Sequence, residues 1–140
     1  MNTIGVKVVI DTNVFITILG RQSPKRWIFD KIFKGEFLLC VSQEILLEYE
    51  EILSQKMNEN IARNVINFLL TSPQVQLINV FYHWQIISED PDDNKFIDCS
   101  VSSNAYCLVS NDKHFNIDMN IDFQKILILI FEELEKEFNR

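Results

Sequence analysis

The chain has 140 residues, of which 47% are hydrophobic and 24% are charged, and its formal net charge is −7 at pH 7. These values predict one globular domain over residues 1–140 and argue against a broad basic surface for nucleic acid. No apolar run approaches the ~20 residues of a membrane span, and the amino terminus lacks the charge-then-apolar pattern of a signal peptide.

The first predicted element is a buried strand over residues 6–10, which leads directly into Asp11, Thr12 and Asn13. A nearly continuous β-branched run indicates a parallel strand that is covered on both faces. Because chemistry in open parallel sheets gathers where strands end and helices begin, Asp11 is a candidate functional residue. A simpler interpretation is that Asp11 or Thr12 caps the following helix.

The rest of the chain alternates helical and strand patterns. Ser23 followed by Pro24 is a typical helix start, with Ser as the N-cap and Pro in the first helical position. Asp90 followed by Pro91 repeats it, and Ser42 is a further N-cap. The predicted helices cover residues 13–19, 24–35, 43–56, 58–70 and 91–101 and a segment closing near 138, and the later strands cover 37–41, 75–81, 107–110 and 126–128. This alternation predicts an α/β fold with a parallel sheet.

The three cysteines, Cys40, Cys99 and Cys107, are odd in number and show no spacing typical of a metal site or a redox motif. We expect buried free thiols in a reducing cytoplasm. A catalytic thiol is the alternative, but neither His83 nor His114 can be paired with any of them from the sequence.

Four acids occupy positions where apolar or helix-capping residues are more usual. Asp11 and Asp112 each follow a buried strand, and Glu48 borders the apolar stripe of its helix. Helical phase turns Asp93 towards the buried face of its helix, whereas Asp98 points away. Carboxylates gathered at one sheet edge repel one another unless a cation neutralises them. Mg²⁺ or Mn²⁺ suits such oxygen ligands, so the sequence predicts a divalent metal site.

Each of these acids also has an ordinary structural interpretation. Glu48 can be a solvated helix residue, Asp93 the acid of a capping box, and Asp112 the start of a turn. Their joint placement at one predicted edge favours the cluster. The other charged residues near them are predicted to be solvated rather than functional, namely Asp92, Asp98, Lys95, Lys113, Arg21 and Arg26, and His114 is predicted to lie in a surface loop.

Four motifs, in this order and spacing, resemble the PIN domain family, in particular PIN proteins of bacterial toxin–antitoxin pairs. They are a hydrophobic run ending in Asp-Thr-Asn-Val-Phe, Ser42 with Glu48 six residues on, Asp-Pro-Asp-Asp-Asn-Lys-Phe, and Leu-Val-Ser-Asn-Asp-Lys-His-Phe. The resemblance covers residues 7–131. It implies a three-layer α/β/α fold with a central, mostly parallel sheet of about five strands. It also implies hydrolysis of RNA by a nuclease that uses Mg²⁺ or Mn²⁺.

The resemblance assigns the catalytic and metal-binding roles to the same acids: Asp11, with Asn13 as its hydrogen-bonding neighbour, Glu48, Asp93 and Asp112. Asp92 and Asn94 leave a one-residue ambiguity in the third acid, and helical phase favours Asp93. The implied substrate is single-stranded or looped RNA, and the implied partner is an antitoxin protein. The resemblance also implies a cytoplasmic protein that makes no membrane contact and can form a homodimer.

One departure from the family pattern concerns helix packing. Many relatives carry small Ala or Gly residues where this chain has Asp98, Ser100 and Asn104. Two other functions stay open. An inactive PIN-like binding module is disfavoured by the intact acid set. A phosphotransfer receiver-like domain needs paired acids near its first strand, where this chain offers Asp11 alone.

Overall fold

A single parallel sheet organises the chain. The computed structural model describes residues 5–83, 93–111 and 126–138. Within these ranges the strands are β1 (Val6–Ile10), β2 (Phe37–Val41), β3 (Val75–Leu77), β4 (Cys107–Val109) and β5 (Ile128–Leu129). Their order across the sheet is β3-β2-β1-β4-β5, and every neighbouring pair is parallel. The strand order therefore reverses beside β1, which is the position where open α/β sheets form their functional sites.

Helices supply the crossovers that parallel strands require. They are α1 (Thr12–Leu19), α2 (Arg26–Phe33), α3 (Gln43–Lys56), α4 (Glu59–Thr71), α5 (Asn94–Ser103) and α6 (Phe131–Phe138). Val8, Val9 and Ile10 of β1 have no exposed surface. Because successive strand residues point to opposite faces, both faces of the central strand are covered. The α/β class and the parallel five-stranded sheet are confirmed.

Side-chain caps fix the starts of the long helices. The Ser42 hydroxyl accepts a hydrogen bond from the backbone N–H of Ile45 at 3.3 Å, so the predicted start of α3 is confirmed. Asn58 lies one position before α4, and its side chain accepts from the N–H of Ile61 at 2.8 Å. These caps satisfy backbone donors that have no partner within the helix.

The predicted start of α2 is wrong by two residues. The helix begins at Arg26, not at Pro24. Ser23 accepts the backbone N–H of Lys25 with its hydroxyl at 3.1 Å and that of Arg26 with its carbonyl at 3.0 Å. Ser23 therefore closes a turn ahead of the helix instead of capping it.

The third strand is shorter than predicted, since β3 ends at Leu77 and not at Phe81. Its neighbour β2 ends at Val41, whose carbonyl accepts the N–H of Ile78 at 2.8 Å. The chain then turns into α3, so β2 offers no further backbone partner for a longer β3. At the other edge, β5 covers Ile128–Leu129 instead of residues 126–128.

Two helix faces differ from the apolar pattern of the sequence, which predicts Phe33 and Ile61 among the core-facing residues of their helices. In α2 the buried residues are Ile28 and Ile32, whereas Phe33 is exposed because it is rotated about 100° from Ile32. In α4 the buried residues are Ala62 and Leu69, and Ile61 is exposed. Asp90 and Pro91, the predicted start of the fifth helix, lie outside the described residues. In the described parts of the chain, no helix is long and apolar enough to cross a membrane.

Candidate active site

Asp11 lies at the carboxyl end of β1, as predicted, and is only 6% exposed. Its Oδ1 accepts a hydrogen bond from the backbone N–H of Val14 at 2.9 Å, which makes it the N-cap of α1. Its Oδ2 accepts a hydrogen bond from the Ser110 hydroxyl, and its own N–H donates to the Val109 carbonyl at 3.1 Å. Asp11 is therefore the N-cap of α1, as the simpler interpretation predicts. Its hydrogen bonds hold the carboxylate in one orientation at the position where the strand order reverses.

Glu48 reaches the same end of the sheet from α3. Its Oε2 accepts a hydrogen bond from the Thr12 hydroxyl, and its Oε1 accepts one from Nζ of Lys95 at 2.7 Å. The Glu48 side chain is 25% exposed, in agreement with its predicted place at the margin of the apolar stripe. Because Thr12 directly follows Asp11, the two carboxylates flank one turn of backbone.

Tyr49 fixes the rotation of α3 that brings Glu48 to this position. Its side chain is fully buried, its hydroxyl donates to the Ile10 carbonyl, and its ring stacks on Phe15 with centroids 4.1 Å apart and an interplanar angle of 2°. A residue locked in this way leaves the preceding Glu48 little freedom to turn away. In the sequence, Tyr49 belongs to the apolar stripe that Glu48 borders, which predicts a core position but not the hydrogen bond to the end of β1.

Besides burial, the charges of both Asp11 and Glu48 raise the pKa of Tyr49. Burial raises the pKa of Tyr49 well above its usual value, and the charge of Asp11 is the next cause, followed by Cys99 and Glu48. Both Asp11 and Glu48 therefore act on the same buried hydroxyl. This agrees with their independent hydrogen bonds around the end of β1.

Asp93 directly precedes Asn94, the first described residue of α5, and the predicted helix start at Pro91 lies outside the described residues. Asp93 is half-buried, its backbone is in the right-handed helical region (φ −78°, ψ −15°), and its side chain does not cap the helix. The capping-box interpretation stays a prediction, because Asp90, the N-cap that it requires, lies outside the described residues. Two residues after Asp93, Lys95 contacts Glu48, which places the start of α5 beside α3.

The fourth predicted acid, Asp112, lies outside the described residues, as do Asp92, Lys113 and His114. Ser110 and Asn111, which precede Asp112, lie at the site. The Asn111 side chain accepts the N–H of Phe131 at 3.1 Å, at the start of α6. A pocket of ≈ 200 Å³ opens here, lined by Asp11, Asn13, Val14, Thr17, Asn111 and Phe131.

The four-acid cluster stays a prediction. Within residues 5–83, 93–111 and 126–138, no three His, Cys, Asp or Glu side chains form a group that could hold a metal ion. The described part of the chain brings Asp11 and Glu48 around Thr12 and sets the start of α5 beside Glu48. Asp112 lies outside these ranges, so the statement about metal-binding groups does not include it.

Two charged residues of α5 are not solvated, contrary to prediction. The Lys95 side chain is 14% exposed, and Asp98 is 3% exposed, with its Oδ2 3.1 Å from Nδ1 of His83. The helical-phase argument fails because α5 packs against β1, β2, β4 and α3, so residues from Phe96 to Ser100 are all buried. A helix surrounded on several sides has no single outward face.

Of the other predicted cations, Arg26 and Arg21 lie within the described residues. Arg26 donates to the Leu19 carbonyl, its Nε is 3.5 Å from the Asp30 carboxylate, and its guanidinium lies 4.3 Å from the centre of the Phe29 ring. These contacts commit Arg26 to the packing of α1 and α2. Arg21 is exposed, as predicted.

The thiols do not form an alternative active site. Cys40, Cys99 and Cys107 are free and buried, as predicted. Burial raises the pKa of Cys99 and of Cys107 to about 12. Since the thiolate is the nucleophilic form, these groups are inert near neutral pH.

Comparison with known proteins identifies the family. A family model described as PIN domain matches residues 7–114, which include all but the first residue of β1, the whole of β2 to β4 and the residues that hold Asp11 and Glu48. The chain belongs to the PIN domain family. An uncharacterized protein of Methanocaldococcus jannaschii is 33% identical to this PIN domain protein over 121 residues, which cover 81% of this chain and 75% of the relative.

Solved structures share the PIN fold. The crystal structure of VapBC2 from Rickettsia felis, bound to a DNA fragment from their promoter, contains a chain with a TM-score of 0.63 and 13% identity, covering 90% of this chain and 99% of its own. Mycobacterium tuberculosis VapC20, described as a sarcin-ricin loop cleaving toxin, has a TM-score of 0.60 and 11% identity, covering 82% and 97%. At such low identity these likenesses show the fold alone.

Proposed function

We propose that this PIN domain protein is a divalent-metal-dependent endoribonuclease and the toxin of a toxin–antitoxin pair. Its catalytic and metal-binding acids are Asp11, Glu48, Asp93 and Asp112. The observation that carries the proposal is the arrangement of Asp11, Thr12 and Glu48. A buried carboxylate stands at the end of the central strand, and a second one is tied to the next residue by the Thr12 hydroxyl.

The ligand chemistry of the proposed acids is that of a site for a hard divalent ion. Asp11, Glu48 and Asp93 offer carboxylate oxygens, the ligands that Mg²⁺ and Mn²⁺ prefer, and Asp112 adds a fourth carboxylate from the sequence. When bound, such an ion supplies Lewis acidity that activates water and offsets the charge developing on the phosphate and the leaving oxygen.

The other residues orient these acids. The Val14 N–H and the Ser110 hydroxyl hold the two oxygens of Asp11, so its carboxylate keeps one direction. Thr12 and Lys95 do the same for Glu48. A site whose ligands are already oriented loses less conformational entropy when a cation and a phosphate bind.

RNA and an antitoxin are the proposed partners. The name of one fold relative, a sarcin-ricin loop cleaving toxin, supports RNA as the substrate, and the VapBC2 complex supports an antitoxin partner. At a net charge of −7 the protein lacks the positive charge for broad contact with the RNA backbone. We therefore expect modest RNA affinity and a cleavage rate that depends on the acids far more than on a single lysine.

A cleavage assay tests this function. Purified protein is incubated with structured and single-stranded RNA in Mn²⁺ or Mg²⁺, with EDTA as the metal-free arm. Asp11→Asn and Asp93→Asn should lower the rate by several orders of magnitude, as expected when metal ligands are lost. Glu50→Gln is the matched control, because Glu50 is exposed on the same helix as Glu48.

Three outcomes would contradict the proposal. Cleavage that persists in EDTA would exclude the metal-dependent reaction. An undiminished rate in both Asp11→Asn and Asp93→Asn would exclude these acids from catalysis. Retained RNA binding without cleavage in any metal would favour the inactive binding module.

A further inference from the structure

Lys95 and Glu48 form a largely buried ion pair inside the acidic site. Nζ of Lys95 lies 2.7 Å from Oε1 of Glu48, and the two side chains are 14% and 25% exposed. The second oxygen of Glu48 accepts the Thr12 hydroxyl. Charge-assisted bonds of this length are at the strong end of the range, unlike the loose pairs found on protein surfaces.

The position of the Lys95 ammonium is fixed by its own helix. Lys95 lies in the first turn of α5, two residues after Asp93, and its Nζ is 5.6 Å from the centre of the buried Phe96 ring. A cation near an aromatic face is held by the negative charge of that face. The ammonium therefore contacts one proposed metal ligand, Glu48, directly, and Lys95 follows another, Asp93, by two positions in the chain.

We propose that Lys95 is a positioning residue that acts through Glu48 as an internal counter-ion and competes with the divalent cation for that carboxylate. In the metal-free protein its ammonium offsets the negative charge of Glu48 and of the neighbouring acids. A divalent ion that binds Glu48 displaces Lys95 or shares the oxygen with it. This inference rests on the proposed metal-dependent function.

Electrostatic repulsion predicts that the charge of Lys95 weakens the binding of a divalent ion. A fixed positive charge a few ångströms from the cation site repels the incoming ion, and the repulsion is weakly screened where both side chains are largely buried. Removing that charge should tighten divalent binding by about tenfold. An ion pair that only supports the fold would have the opposite effect, because its loss would loosen Glu48.

A second lysine–glutamate pair provides a matched control. Nζ of Lys31 lies 3.5 Å from Oε2 of Glu36 and 6.0 Å from the centre of the Phe37 ring. Glu36 directly precedes β2, so this pair lies at the amino edge of the sheet, opposite the site. Lys31→Gln therefore removes a longer and more exposed lysine–glutamate pair without changing the charge near Asp11 or Glu48.

The experiment measures binding of Mn²⁺ and Mg²⁺ alone by calorimetry, without RNA, on full-length wild type, Lys95→Gln, Lys95→Arg and Lys31→Gln. The melting temperature of each protein is also measured in EDTA. Lys95→Gln should melt lower than wild type in EDTA but bind Mn²⁺ about tenfold more tightly. Lys95→Arg should restore wild-type affinity, and Lys31→Gln should leave it unchanged.

The two proposals fail in different ways. If wild type binds Mn²⁺ and Lys95→Gln binds it equally or more weakly, the competition is overturned and the proposed function stands. If wild type binds neither Mn²⁺ nor Mg²⁺, both are overturned. Should Lys95→Gln fail to fold, Lys95→Met keeps the alkyl stem near Phe96, and the same criteria apply to it.

Discussion

The Thr12 hydroxyl donates a hydrogen bond to Oε2 of Glu48, and this contact joins the first turn of α1 to the middle of α3. The two residues are 36 positions apart in the chain. The contact lies at the carboxyl end of β1, where Asp11 caps α1 and Tyr49 anchors α3. The site is therefore built by two helices that are locked onto the end of one strand.

Removing the Thr12 hydroxyl should weaken both the fold and the site. Thr12→Val keeps the shape of the side chain but leaves Glu48 without this donor, so we expect a loss of about 1–2 kcal/mol in the free energy of unfolding. Thr17→Val is the matched control, because the Thr17 hydroxyl donates to a backbone carbonyl on the exposed side of the same helix. Urea denaturation of both variants checks this. Equal losses would show that the contact with Glu48 is not special.

Tyr49→Phe should destabilise the protein more than an exposed tyrosine change. The variant leaves the buried Ile10 carbonyl without the Tyr49 hydroxyl, at a cost of about 1–3 kcal/mol. In Tyr106→Phe the lost partner is Glu137, in an exposed hydrogen bond, so the change should stay within about 0.5 kcal/mol. Denaturant titrations of the two variants make the comparison. A loss for Tyr49→Phe as small as that for Tyr106→Phe would contradict the anchoring role of Tyr49.

The buried thiols predict a loss of stability at alkaline pH. Burial raises the pKa of Cys107 from 9.0 to about 12. Below pH 9 both states keep the proton, and between pH 9 and 12 only the unfolded chain releases it. Unfolding is therefore favoured as pH rises, by about 1.4 kcal/mol per pH unit for this thiol.

The measurement is the slope of the free energy of unfolding against pH from 9 to 12. Cys107→Ala should have a shallower slope than wild type by about one proton. Val109→Ala, in the same strand, controls for the lost side-chain volume and should keep the wild-type slope. Identical slopes for wild type and Cys107→Ala would show that the folded thiol ionises normally.

The sequence predicts those parts of the fold whose causes are local. The bounds of β1 and β2 are confirmed because each is an apolar run, interrupted only by Lys7 in β1, with a polar residue directly after it. The start of α3 is confirmed because the Ser42 cap needs only the next turn of the chain. The length of β3 could not be predicted, because it depends on where β2 ends.

In the site, too, features with local causes could be predicted and features that depend on other elements could not. Asp11 is visible in the sequence because it ends a buried strand, and Glu48 because it borders an apolar stripe. The burial of Lys95 and Asp98 could not be predicted, because it depends on the elements that surround α5. Ser110 is the last residue of a predicted strand, which is a signal for the carboxyl edge, but its contact with Asp11 requires the pairing of β1 with β4.

The double role of Asp11 can be separated with two substitutions. Asn is as good an N-cap as Asp, and its amide can donate to the Ser110 hydroxyl, so Asp11→Asn should keep nearly wild-type stability. Asp11→Ala loses the cap, at about 1–2 kcal/mol, and leaves the buried Ser110 hydroxyl without this acceptor. Both variants should lose RNA cleavage by several orders of magnitude, since neither retains a carboxylate for the cation.

Asn58→Ala is the control for Asp11→Ala, because Asn58 caps α4 through the same kind of bond and is exposed. It should lose about 1 kcal/mol of stability while cleavage stays at the wild-type rate. Urea denaturation and RNA cleavage in Mn²⁺ are measured on all four proteins. If Asp11→Asn is as unstable as Asp11→Ala, the fold requires the charge of the carboxylate and not only its cap. Cleavage by Asp11→Asn at the wild-type rate would instead leave Asp11 with a structural role alone, because the amide retains the cap and the hydrogen bond with Ser110 but not the charge that binds a cation.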